Sequence, residues 1–101
     1  MDKNEIINRI NIIRNKANLS ARALSQKIEL NDGYINRLES KKDFLPSVEV
    51  LLQIINTCGV SCEQFFYDNF FEYENDKQLL NLFKTLSNEK KEYLIKFLTS
   101  K

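Results

Sequence analysis

The sequence predicts an all-α fold, a five-helix domain followed by a C-terminal two-helix hairpin, and three observations predict it. Apolar residues recur three and four apart along successive stretches, the spacing of one helix face. Side chains with an acceptor oxygen stand just before those stretches, at Asp2, Ser20, Asn31, Ser47, Ser61 and Ser87, where they suit the free N–H groups of a first helical turn. Two of the patterns, Ser20–Ile28 and Asn31–Ser40, lie so close together that only a tight corner joins them.

Asp2 with Glu5 has the three-residue spacing of a capping box and starts the first helix. Ile6, Ile10, Ile13 and Ala17 give it an apolar stripe, Arg9, Arg14 and Lys16 occupy other faces, and its end is expected near Asn18. The second and third helices carry narrow stripes, Leu24 with Ile28 and Ile35 with Leu38. Neither folds alone at that length, so both must dock on their neighbours. The outer face of the third, with Asp32, Gly33, Asn36 and Arg37, is left free. Pro46 blocks backward extension of the fourth helix and Ser47 caps it; Val48, Leu51, Leu52 and Ile55 form the expected buried face, and Gly59 is the expected stop. Ser61 with Gln64 opens a fifth helix, from which Phe65 and Phe66 close the core.

Beyond it, Phe65, Phe66, Tyr67, Phe70, Phe71 and Tyr73 crowd together, interleaved with Asp68, Glu72 and Glu74. The acids argue against base stacking, since the same surface would repel phosphate; a packing seam is the economical reading. Leu79, Leu80, Phe83 and Leu86 line the first tail helix, and Tyr93, Leu94, Phe97 and Leu98 the second. Their combined apolar face exceeds what two short helices bury in each other, so these eight residues are expected to form a dimer or partner interface. The domain boundary is expected after residue 68, giving domains 1–68 and 69–101.

The chain of 101 residues is 43% hydrophobic and 29% charged, a globular rather than a disordered composition. It has no long apolar run and no exported-type leader, so the expected address is the cytoplasm, with Cys58 and Cys62 reduced. A net charge of +1 does not announce a polyanion binder, but the charges are segregated. Residues 1–47 carry nine Lys/Arg against six Asp/Glu, residues 48–76 six acids and no base, and residues 77–101 six Lys against two Glu. Such segregation can leave a positive face on a nearly neutral molecule. The C-x3-C pair, in a chain without histidine, cannot build a four-ligand zinc site. No catalytic constellation is legible, so neither an enzyme nor a cofactor, metal or small-molecule ligand is expected.

Two helices at a sharp corner with the second displayed make a helix-turn-helix, whose second helix fits the DNA major groove. At Leu19-Ser20, Leu24, Leu30-Asn31, Tyr34 to Glu39, Pro46-Ser47, Leu51, Ile54-Ile55, Gly59-Val60-Ser61 and Phe65-Phe66, the chain resembles the lambda-repressor-like, Cro/C1-type (XRE family) helix-turn-helix regulators over about residues 4 to 66. The resemblance implies an operator-binding homodimer, with two recognition helices about 34 Å apart on a pseudo-palindrome of double-stranded DNA. It implies that Arg14 pairs with Glu39, that Asp32, Gly33, Asn36 and Arg37 face the bases, and that Ser20, Arg22, Tyr34, Lys41 and Lys42 lie near phosphates. Arg37 suits guanine and Asn36 adenine. Two departures stand out: Glu29 where the turn usually has Gly, and Ala21 where a phosphate-touching Gln is common. The simplest reading of Asp32 is that it favours the positive end of its helix. The alternative function is a protein-interaction module, an antitoxin or antagonist-binding regulator, with the tail as its docking surface.

Overall fold

Local capping writes most of the helix starts. The computed structural model describes residues 1–41 and 44–100, without the side chain of Lys41. Seven α-helices lie among the described residues: α1 Lys3–Lys16, α2 Ala21–Lys27, α3 Tyr34–Lys41, α4 Val48–Thr57, α5 Cys62–Phe66, α6 Tyr73–Thr85 and α7 Asn88–Thr99, with a 3-10 turn at Phe70–Glu72. Asp2 Oδ1 accepts from the Glu5 N–H, and the hydroxyls of Ser20, Ser47, Ser61 and Ser87 accept from the N–H groups of Ala23, Val50, Gln64 and Lys90. Asn31 behaves differently. Its side chain accepts from the Gly33 N–H and its carbonyl from the Tyr34 N–H, so a turn occupies residues 31–33 and α3 begins at Tyr34 rather than at Asn31. Asn favours such a side-chain turn over a helical first turn.

Three helices end alike. After α1, α2 and α4 the chain enters the left-handed region at Asn18 (φ 58°), Glu29 (φ 60°) and Gly59 (φ 77°). In each case the next residue's N–H reaches back five positions, Leu19 to Arg14, Leu30 to Ser25 and Val60 to Ile55, while the left-handed residue's own N–H reaches back three. This is the Schellman closure. Gly enters it freely and Asn at little cost, but Glu29 carries a strain on the order of 1 kcal/mol.

The chain divides into two compact units, 1–66 and 67–101. In the first, α3 lies against α1 and α2, and α4 packs on α1, α2 and α5. Its core is Ile7, Ile10 and Ile13 of α1, Leu24 and Ile28 at the end of α2, Ile35 and Leu38 of α3, Ile54 and Ile55 of α4 and Phe65 of α5, all buried. Three expectations are corrected here. The α1 face centres on Ile10 with Ile7 beside it, and Ile6 is only half-buried. On α4, Val48 is 75% exposed and Leu52 is exposed too. Apolar residues run round most of that helix, so two overlapping stripes fit the pattern, and packing selects Leu51, Ile54 and Ile55. Phe66 is also exposed, lying edge-on to Phe65 at 5.0 Å between ring centres.

In the second unit Asn69 Oδ1 accepts from the Phe71 N–H and sets the 3-10 turn that leads into α6. Phe70 and Tyr73 are buried, Tyr67 stands edge-on to Tyr73, and the Tyr67 hydroxyl donates to the Asp76 carboxylate. That hydrogen bond holds the Tyr67 phenol above its ordinary pKa. α6 and α7 meet at Leu86 and Ser87, and α7 has no buried residue. Leu79, Leu80, Tyr93, Phe97 and Leu98 are exposed, as are Leu82 and Ile95; Phe83, Leu86 and Leu94 are half-buried. Among the described residues no helix is long and apolar enough to cross a membrane.

Candidate nucleic-acid interface

The geometry of residues 20–41 begins with a buried hydroxyl. Ser25, at the middle of α2, donates to the Ala21 carbonyl and accepts from the Ile35 N–H at 3.1 Å. One fully buried side chain thus satisfies a first-turn donor of α3, which otherwise has no intrahelical acceptor. It also fixes α3 against α2. Ile35 and Leu38 point into the core, while Asn36 and Arg37 are exposed on the opposite side. An eight-residue helix is held rigidly by its inner stripe and offers its outer one.

A second anchor sits at the far end of α3. Arg14 places Nε 2.8 Å from Glu39 Oε2 and Nη2 2.8 Å from Oε1, a two-pronged pair, and its Nη1 donates to the Leu19 carbonyl. Asn11 completes it, donating to Glu39 Oε1 at 2.7 Å. Both charged side chains are 13% exposed, so each needs the other. The hydrogen bond to Glu39 raises the Arg14 pKa further, and the guanidinium stays charged. One arginine thereby joins α1, the link to α2, and α3. The nearby Cys58 thiol is pushed above its ordinary value, mainly by burial.

On the outward side, Arg22 Nε stands 3.3 Å from Asp32 Oδ2, and Gln26 Nε2 donates to Asp32 Oδ1 at 3.3 Å. Asp32 therefore turns towards α2 side chains and leaves the turn before α3 to Asn31. Gly33 brings no side chain, and its N–H is already given to Asn31 Oδ1 at 2.9 Å. Tyr34 is half-buried, with its ring edge-on to Phe44 at 5.8 Å, and burial raises its phenol pKa against the pull of Arg37. Ser20 Oγ caps α2 from an exposed position. The proposed phosphate contacts of the Lys41 side chain and Lys42 lie outside the described residues.

Sequence reasoning missed Ser25, Asn11 and Gln26. A serine inside an apolar helix face is a weak signal for a bridging hydroxyl. Asn11 stands three residues before Arg14 and shares its side of α1, which was legible. Gln26 has no partner within reach on its own helix that would single it out. Among the described residues no group of three or more His, Cys, Asp or Glu side chains is placed to hold a metal ion.

The family model described as helix-turn-helix matches residues 10–65, the span from the middle of α1 to the buried Phe65. No curated protein and no solved structure matches the chain.

Proposed function

The chain belongs to the Cro/C1-type helix-turn-helix family, and from that premise we propose that it is a sequence-specific DNA-binding regulator, a repressor that grips a pseudo-palindromic operator as a homodimer. The observation that carries this reading is the division of α3: Ile35 and Leu38 fully buried, Asn36 and Arg37 exposed beside them. A helix so held enters a major groove without losing its own packing. Arg37 then takes the O6 and N7 acceptors of guanine, and Asn36 the N6 and N7 of adenine. Ser20, Arg22, Tyr34, Lys41 and Lys42 lie along the phosphates and set the register, which carries no sequence information by itself. The homodimer is supported by the exposed apolar residues of α6 and α7, which a second copy would cover.

The test is a binding selection of the full chain against random duplex DNA at two salt concentrations, beside a light-scattering mass. An enriched inverted repeat and a dimeric mass are expected. Arg37→Ala should cost about 1–3 kcal/mol on that site and relax the preference at one base pair. Lys42→Ala should weaken all sequences alike and lower the salt slope by about 1. Identical behaviour of the two variants across sequences would defeat the assignment of roles.

A second reading, an antitoxin or antagonist-binding regulator with little DNA affinity of its own, draws on the same exposed tail and on the net charge of +1. It predicts no enriched sequence and a tail that binds a different protein.

A further inference from the structure

The carboxylate of Asp32 presents a physical problem on a surface meant for a polyanion, and its neighbours supply the solution. Asp32 does not cap α3, because Asn31 holds the Gly33 and Tyr34 N–H groups. Its two oxygens instead meet two side chains of α2: Gln26 Nε2 at Oδ1 and Arg22 Nε at Oδ2, both at 3.3 Å. The Arg22 and Asp32 side chains are 73% and 54% exposed, and ion pairs so exposed contribute little to folding. Stability therefore gives no account of why three side chains converge there.

We infer that Arg22, Gln26 and Asp32 form one base-reading unit, in which Asp32 accepts a hydrogen bond from an exocyclic amino group in the major groove, that of cytosine, while Arg22 reaches from Asp32 to a backbone phosphate. The inference rests on the DNA-binding reading above and adds two positioning residues and one base to it. Each oxygen of an ionised carboxylate has about two acceptor sites; one on each is used, so acceptor capacity remains. An all-acceptor group discriminates sharply. Guanine and thymine offer acceptors at their major-groove edges and are repelled, adenine offers a donor beside an acceptor, and cytosine offers its N4 donor alone. Arg22 spends only Nε on Asp32, which leaves the Nη groups for a phosphate. Its charge also cancels that of Asp32, so the carboxylate approaches DNA without net repulsion. A lysine cannot serve both ends, having one ammonium in place of the fork.

The experiment is the same random-duplex selection, run on the full chain and on Asp32→Asn, Gln26→Ala and Arg22→Lys, each first shown to melt as the parent does. The parent should prefer cytosine at one position of each half-site by about tenfold. Asp32→Asn should move that preference to adenine, because an amide offers a donor and an acceptor together. Gln26→Ala and Arg22→Lys should flatten the same position, an effect that a purely structural role would not produce. If Asp32→Asn instead strengthens binding to every sequence alike with preferences unchanged, Asp32 merely repels phosphate and the unit is disproved. A parent that enriches no sequence removes the DNA-binding reading and this inference together. An enriched site untouched by all three substitutions removes this inference alone.

Discussion

Residues 1–66 and 67–101 are built from the same materials and reach opposite ends. Both place Leu, Ile and Phe at helical spacing behind capped helix starts. In the first unit Ile10, Ile13, Leu24, Ile35, Leu38, Ile54 and Phe65 are completely buried. In the second, α7 buries nothing, and Phe97 is 75% exposed. Helical periodicity states that a face exists, and only a complementary surface turns it into a core. Five helices in the first unit provide that surface for one another. In the second it is missing, which is why the tail is the place to look for a second copy of the chain.

The sharpest way to break this comparison is to truncate one large side chain in each unit. Phe65→Ala removes a fully buried ring and should destabilise the chain by about 3–5 kcal/mol. Phe97→Ala, measured where the chain is monomeric, should change its stability by less than about 0.5 kcal/mol. Its effect should emerge only as concentration rises, as a loss of dimeric mass. Equal losses for the two in dilute thermal melts followed by circular dichroism would erase the distinction between the units.

A smaller effect sharpens the account of the first unit. Glu39→Gln leaves Arg14 with a neutral partner at 13% exposure and should cost about 1–3 kcal/mol in chemical denaturation. A change within error would mean that α3 is held by its apolar stripe and Ser25 alone.

The smallest effect has the opposite sign. Glu29→Gly relieves the left-handed strain at the end of α2, less the extra freedom of glycine in the unfolded chain, for a net gain of about 0.5–1 kcal/mol. Asn18→Gly, at the same place after α1, should be nearly neutral because Asn tolerates that conformation. Should the two substitutions shift the melting temperature equally, the Glu29 strain would not be what distinguishes these ends.

Much of the first unit was legible because it is written locally. Asp2, Ser20, Ser47, Ser61 and Ser87 each meet a donor three residues ahead, and Gly59 ends α4 through contacts no more than five residues away. The Arg14–Glu39 contact spans 25 positions and was reachable only through family resemblance. The choice between the two stripes of α4 was not legible, since Val48 and Leu52 are as apolar as the residues that were buried in their place. Nor was the turning of Asp32 towards α2. A carboxylate one residue beyond Asn31 reads as a helix-start charge until Arg22 and Gln26 are brought beside it.

The sequence by itself determined the helices, their caps and the displayed corner, because those depend on neighbours within a turn or so of chain. Tertiary structure alone decided which face of α4 faces inward, where α3 starts to matter as a surface, and what Arg22, Gln26 and Asp32 do together. Those outcomes depend on groups distant in the chain meeting at a few ångströms, and no periodicity encodes such a meeting.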